Sequence, residues 1–174
     1  SLRVDKVTRN FGGLTAVSNA SLRVEAGELV GLIGPNGAGK TTIFNLLTGV
    51  YPPSSGHISL DVDGTERRLD GKRPYAICRA GVGRTFQNIR LFRDLTVLDN
   101  VTIALQQNVR YSLLSAFLHL PAHRKAEAQI RTESLELLEL MGLGSKTGEL
   151  ARNLSYGEQR HLEIARALAT RPQL

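Results

Sequence analysis

Hydrophobic positions along the chain fall into short runs and helical stripes punctuated by glycine and proline. Leu2 to Thr8 alternates apolar and polar, with Leu2 and Val4 in phase and Val7 out of it, a modest strand signal. Phe11-Gly12-Gly13 predicts a turn, and Ser21 to Val24 a second strand with Leu22 and Val24 on one face. Glu25-Ala26-Gly27-Glu28 turns the chain into Leu29-Val30-Gly31-Leu32-Ile33, a continuous apolar run of the kind expected for a buried parallel strand. Ile43, Leu46, Leu47 and Val50 then recur at i, i+3, i+4 and i+7, one apolar face of a helix. Gly49 and Pro52-Pro53 end that helix.

Further on, His57 to Leu60 and a polar hairpin around Asp63-Gly64 predict more strands, and a short helix runs from Pro74 to Ala80. Gly81 leads into Val82-Gly83-Arg84-Thr85-Phe86-Gln87, which reads as another core strand ending in a glutamine. A glutamine there sits where open α/β sheets bind ligands. The pattern changes after Gln87. Leu95 to Gln107 reads as a helix with Thr96 as its N-cap, Pro121 interrupts, and Ala122 to Met141 forms a long charged helix ended by Gly142 and Gly144. This stretch has helix signals only, as a subdomain inserted into an α/β core would. The last helix opens at Leu154-Ser155-Tyr156-Gly157-Glu158-Gln159, with Ser155 and Glu158 spaced as a capping box. Leu162, Ala165 and Ala169 mark its buried face, with Arg160, Glu163 and Thr170 expected to face away.

Between the apolar run and the first helix lies Gly34-Pro35-Asn36-Gly37-Ala38-Gly39-Lys40-Thr41-Thr42, which fits the phosphate-binding pattern G-x-x-x-x-G-K-[ST]. The flanking strand and helix predictions are the context that pattern requires. Glycine permits backbone conformations a Cβ would obstruct, so N–H groups from Asn36 to Thr41 can curl around phosphate oxygens at a helix N-terminus. Lys40 supplies a point charge for β- and γ-phosphates, Thr41 a hydroxyl for Mg²⁺, and Thr42 a contact to the α-phosphate. This is binding chemistry and does not by itself establish turnover.

Composition changes little in this picture. The chain has 174 residues, 41% hydrophobic and 22% charged, an ordinary globular balance for one domain or a domain with a subdomain. The formal net charge of +6 is spread without a Lys/Arg block, so it reads as a basic surface, with no nucleic acid expected. A lone cysteine, Cys78, excludes an internal disulfide, favours a reducing compartment and reads as a small buried apolar residue. No stretch reads as a membrane helix or a secretory signal. His119 and His123 are spaced i, i+4, but Pro121 lies between them and no third ligand is near, which argues against zinc. Phe11 has two readings from its position, a core residue or a flat aromatic platform for adenine.

Taken together, these segments resemble the ATP-binding subunits of ABC transporters. Leu154 to Gln159 looks like the family's signature, usually L-S-G-G-Q, with Tyr156 at the first glycine and Glu158 at the glutamine position. Gln87 looks like the Q-loop glutamine and Phe11 like the adenine-stacking aromatic. Arg9 to Val17, the run Gly83 to Phe92, Tyr156 and the run Leu162 to Ala169 look most like the ATPases of branched-chain amino acid importers.

The resemblance implies an α/β P-loop NTPase core of the ABC type, with an N-terminal antiparallel β subdomain and an inserted helical subdomain. It divides the chain into an ATP-binding core at 1–89, a helical subdomain at 90–153, and the signature and its helix at 154–174. It implies that Phe11, Val17, Asn36, Gly37, Ala38, Gly39, Lys40, Thr41 and Thr42 hold ATP, and that Thr41 and Gln87 attend Mg²⁺. Ser155, Gly157 and Gln159 would close on ATP held by a second subunit paired head to tail. Permease subunits would dock on the helical subdomain at the cytoplasmic face of the membrane, with a periplasmic or extracellular substrate-binding protein acting indirectly. Substrate choice would reside in those partners.

The family also carries a strand ending in Asp followed by a catalytic Glu, then a D-loop and a switch histidine. No run of four apolar residues followed by Asp-Glu occurs here, and none of His57, His119, His123 or His161 matches the switch position. The chain starts at Ser1 and stops at Arg171-Pro172-Gln173-Leu174 directly after a helix, as a piece truncated before the Walker B segment would. Such a piece is expected to bind nucleotide weakly, to hydrolyse it little, and to associate through unpaired strand edges. The alternative readings are a soluble ABC ATPase acting on ribosomes or DNA, and a regulatory nucleotide-binding module without turnover.

Overall fold

The computed structural model describes residues 1–86, 88–107 and 121–174, with side chains from residue 126 in the last stretch. They group into two compact units, residues 1–82 with 173–174, and residues 83–172.

The first unit contains β1 (Leu2–Phe11), β2 (Leu14–Val24), α1 (Lys40–Leu47), β3 (Ser55–Val62), β4 (Thr65–Arg68) and α2 (Pro74–Ala80). The strands pair antiparallel in the order β2-β1-β3-β4. Both N-terminal strands run longer than their apolar patterns, because a two-residue Gly12-Gly13 turn brings Phe11 opposite Leu14 and extends the ladder. The phase break at Val7 has a structural cause. The register shifts between Val4 and Val7, Lys6 has φ 46°, and Val7 is thereby returned to the buried face at 1% exposure. Gly56 makes room for this bulge: at φ +85°, a Cβ there would lie 2.4 Å from the Lys6 carbonyl oxygen. The Asp63-Gly64 hairpin forms as predicted, with φ of 53° and 76° in the manner of a type I′ turn. Leu2, Val4, Val7, Ile58 and Leu60 from the sheet pack with Leu46 of α1 and Ile77 of α2. Cys78 in α2 is half-buried.

Two strand expectations fail. Leu29–Ile33 takes no strand conformation, and Leu29 and Ile33 are 98% and 94% exposed. Val82 to Phe86 is not a strand either. The physical reason is shared. A buried parallel strand exists only when neighbours supply its ladder, and among the described residues no segment pairs with either run.

The second unit contains α3 (Val97–Gln106), α4 (Pro121–Leu140) and α5 (Tyr156–Ala169), with short 3₁₀ turns at Gly144–Lys146 and Ala151–Asn153. Thr96 caps α3 as expected, its hydroxyl accepting the Asp99 N–H at 3.0 Å. Val97, Val101, Ile130, Leu138, Leu143, Leu162, Ala165 and Ala169 form one continuous core among these helices. An antiparallel bridge, Thr96 to Leu150, ties the start of α3 to the chain entering α5. His119 lies outside the described residues, as does the side chain of His123. Among the described residues no His, Cys, Asp or Glu cluster is arranged to hold a metal.

One expectation on α5 needs correction. Glu163 does not face away; it is 6% exposed. The stretch before Gln87 covers it, and its carboxylate is satisfied there by the Phe86 N–H at 3.1 Å and Arg160 Nη1 at 3.1 Å.

Candidate functional site

The glycine loop lies in the first unit, between the exposed Leu29–Ile33 run and α1. Gly37 and Gly39 take φ of 83° and 81°. Gly39 is the N-cap of α1 and must be glycine on steric grounds too, since a Cβ would fall 2.5 Å from the Ala16 carbonyl oxygen and 3.2 Å from Val17 Cγ2. The head of α1 is left open. No side chain caps it and its first turn holds no acid. Among the described residues, the N–H groups of Gly39, Lys40, Thr41 and Thr42 find no acceptor. Four unpaired donors at a helix N-terminus attract an anion.

Lys40 completes the arrangement. Its ammonium donates to the carbonyls of Gly34 at 2.5 Å and Pro35 at 2.6 Å, folding over the loop. Both acceptors are exposed, so a polyanion can compete for the ammonium at little cost. Thr41 is exposed on the first turn, and Thr42 is half-buried beside it. Open donors, a mobile cation and a free hydroxyl fit a nucleotide polyphosphate with its divalent ion. Thr41 is the residue here whose hydroxyl would meet that ion, which would neutralise phosphate charge.

Phe11 ends β1 at 37% exposure, outside the buried core, which corrects its core reading. One edge packs on Tyr51, with centroids 5.1 Å apart and planes at 81°. The Arg9 guanidinium lies 4.5 Å from its centroid and donates to the Pro52 carbonyl at 2.9 Å. Sequence reasoning missed Arg9 and Tyr51. Arg9 carried a signal, since residues two apart on a strand share a face. Val17 on β2 is buried against the loop at 7% exposure.

The signature residues lie in the second unit at the head of α5, and here the helix end carries a side-chain cap. Ser155 Oγ accepts the Glu158 N–H at 3.4 Å, and Glu158 Oε2 accepts the Ser155 N–H at 2.8 Å, the reciprocal capping box that was predicted. Lys146 adds an ion pair, Nζ to Glu158 Oε1 at 2.7 Å. Lys146 and the Ser155 N–H hold the Glu158 carboxyl down at about 2. Lys146 comes from the preceding 3₁₀ turn, and nothing in the motif announced it. Ser155 and Tyr156 are exposed, the latter at 68%, and Gly157 has open space where a Cβ would be. Gln159 turns back, its amide donating to the Leu154 carbonyl at 2.8 Å. A groove of about 270 Å³ beside it is lined by Asn88, Ile89, Leu91, Arg93, Tyr156 and Gln159. Gln87 lies outside the described residues, but its neighbour Phe86 is held closely. Arg160 Nη1 donates to the Phe86 carbonyl at 2.7 Å while Glu163 accepts its N–H.

An open glycine-loop helix terminus and a capped serine-glycine helix terminus thus stand on one chain, as the resemblance to ABC cassettes implied. The chain belongs to the ABC transporter family, whose model matches residues 17–174. It is 46% identical, over 99% of its length, to the high-affinity branched-chain amino acid transport ATP-binding protein LivG of Salmonella typhimurium, and it covers 66% of that protein. Against BraF of Pseudomonas aeruginosa, a high-affinity branched-chain amino acid transport ATP-binding protein, the identity is 43% over the same shares. The chain thus spans just under two thirds of the length of these relatives. Among solved structures, the ATP-binding cassette MJ1267 of an ABC transporter superposes with a TM-score of 0.77 at 29% identity, over 98% of this chain and 65% of that one. The bacterial ABC transporter cassette MJ0796, solved as a dimer, gives 0.77 at 26% identity over 99% and 71%. The fold is the mixed α/β cassette that the sequence resemblance implied.

Proposed function

We propose that this chain is the ATP-binding and signature-bearing part of an ATP-hydrolysing subunit that powers an ABC importer of branched-chain amino acids. The observation that carries the reading is the open head of α1, where four N–H donors find no acceptor among the described residues and the Lys40 ammonium folds over the loop. Asn36 to Thr42 bind the phosphates, Phe11 and Val17 flank the base, and Thr41 and Gln87 attend Mg²⁺. Ser155, Gly157 and Gln159 face the ATP of a second subunit. The capping geometry supports that role for Ser155: its oxygen is used as an acceptor, which leaves its own O–H to donate outward. ATP held between two copies favours the closed dimer, and loss of the γ-phosphate releases it.

In this reading residues 1–89 form the ATP-binding core, 90–153 the helical subdomain that meets the permease subunits, and 154–174 the signature element. A substrate-binding protein acts through the permease. The subunit is peripheral, at the cytoplasmic face. No helix among the described residues is long and apolar enough to cross a membrane.

Titration of a fluorescent ATP analogue tests the reading. Lys40→Ala removes a charge-assisted contact and should weaken binding by about 10- to 100-fold with an unchanged melting curve. Equal affinities in the two proteins would overturn it.

A further inference from the structure

Phe86, the residue before Gln87, is held by more contacts than an irregular segment needs. Both its main-chain groups are bound by side chains of α5: its N–H donates to Glu163 Oε1 at 3.1 Å, and its carbonyl accepts from Arg160 Nη1 at 2.7 Å. The two side chains also pair with each other at 3.1 Å, which closes a ring around one residue's backbone. The guanidiniums of Arg84 and Arg90 lie 4.9 and 4.4 Å from the centroid of its ring. Farther along, Arg166 of α5 donates to the Arg90 carbonyl. Asn100 of α3, fully buried, accepts the Phe92 N–H at 3.0 Å and donates to the Phe92 carbonyl at 3.0 Å.

The side-chain exposure of Glu163 is only 7%. A carboxylate that buried is costly unless its partners are fixed, and a leucine there would pack α5 without that cost. What leucine could not do is set the register of a neighbouring main chain. Hydrogen bonds to both the N–H and the C=O of one residue allow it neither to slide nor to rotate.

We propose that Glu163 and Arg160 are a positioning pair that locks the main chain leading into Gln87 to the helix whose head carries Ser155. The helix whose head carries Ser155 and the main chain at Phe86 then move as one body. Glu163 lies eight positions after Ser155, about 12 Å along the helix. Displacement at the helix head is therefore delivered to Phe86 undamped. This rests on the nucleotide roles proposed above.

The test compares wild type, Glu163→Ala and Glu163→Gln in the full chain, reading amide hydrogen exchange at Phe86 and affinity for ATP with Mg²⁺ or with EDTA. In Glu163→Ala, exchange at Phe86 should accelerate by about tenfold or more, since its acceptor is gone. The gain in ATP affinity conferred by Mg²⁺ should shrink about fivefold, with affinity in EDTA within about twofold of wild type. Glu163→Gln keeps an acceptor for Phe86 and loses the charge facing Arg160, so it should fall between the two. Unchanged exchange at Phe86 would overturn the pair's role, and equal losses of affinity with and without Mg²⁺ would reduce it to ordinary packing. Should Glu163→Ala not fold, Glu163→Gln and Arg160→Lys replace it, and both must accelerate exchange at Phe86 for the proposal to stand. Wild-type chain that binds no ATP, with exchange still accelerated in the variants, would sink the nucleotide reading and the coupling role together while leaving the clamp itself in place.

Discussion

The two helix heads that carry the motifs of this chain are built in opposite ways. At α1 the N-cap is a left-handed glycine, no side chain caps the helix, and among the described residues its first N–H groups find no acceptor. At α5 a serine and a glutamate satisfy each other's backbone N–H groups, and Lys146 neutralises the glutamate. The first terminus forgoes the local stability of a cap, and its open donors would suit an anion. The second pairs the Ser155 and Glu158 N–H groups internally and, among the described residues, leaves those of Tyr156 and Gly157 without an acceptor, beside an exposed hydroxyl and a side-chain-free glycine. In the proposed reading, the helix end that encloses a ligand on its own chain is left without a cap, and the one that presents a face to another body is held by a capping box.

The sharpest way to break that comparison is at Gly39. Gly39→Ala forces a left-handed φ of +81° on an alanine and drives its Cβ to 2.5 Å from the Ala16 carbonyl, a backbone atom that cannot swing aside. The expected cost is about 2–3 kcal/mol in denaturant unfolding, with ATP binding lost alongside. A variant as stable as wild type would mean that the loop tolerates another path, and that its conformation is not what leaves the donors open.

Next in size is Ser155→Ala, which removes the cap that α1 lacks. About 1 kcal/mol of stability should be lost by chemical denaturation. No first-turn change in α1 that spares glycine and lysine has a comparable cap to remove. If Ser155→Ala were neutral, the closed character assigned to α5 would rest on Glu158 and Lys146 alone.

These contrasts were unevenly legible in the sequence. The capping box at Ser155 and Glu158, the Thr96 cap and the Asp63-Gly64 hairpin are local devices, complete within four residues, and each formed as read. Leu29–Ile33 and Val82–Phe86 read as strands because apolar runs fit buried sheets, but a strand is a relation between segments and a run cannot announce its partner. The burial of Glu163 was hidden for the same reason: its partner Phe86 is 77 residues away. Helical periodicity placed Leu162, Ala165 and Ala169 inward correctly and could not see that the flank beside them is covered as well. In the site, the loop residues were readable from spacing, whereas Arg9, Tyr51 and Lys146 enter through packing.

Acid should separate the two termini further. Glu158 is held at about 2 against an ordinary 4.5, so its folded form binds a proton less readily than its unfolded form. Its contribution is therefore complete above about 4.5 and is lost as the pH falls toward about 2. Melting temperatures of wild type and Glu158→Gln should differ at neutral pH and converge in that window. The head of α1 has no acid to titrate and adds nothing there. Parallel acid limbs for the two proteins would remove Glu158 from the account of α5.

The smallest expected effect carries the clearest contrast. Gly39 and Gly157 both lie at the head of a motif helix, yet only the first needs glycine to fold. A Cβ at Gly157 meets nothing within 4 Å, so Gly157→Ala should alter stability by no more than about 0.5 kcal/mol and leave binding of ATP to its own loop unchanged. If Gly157 is kept bare for another molecule, the penalty should appear only when two copies meet, as a weaker ATP-dependent dimer in sedimentation velocity. A Gly157→Ala chain that unfolds more easily on its own would show the glycine serving its own helix. An unaltered dimer would show that the open face of α5 is not where the second copy's nucleotide lies.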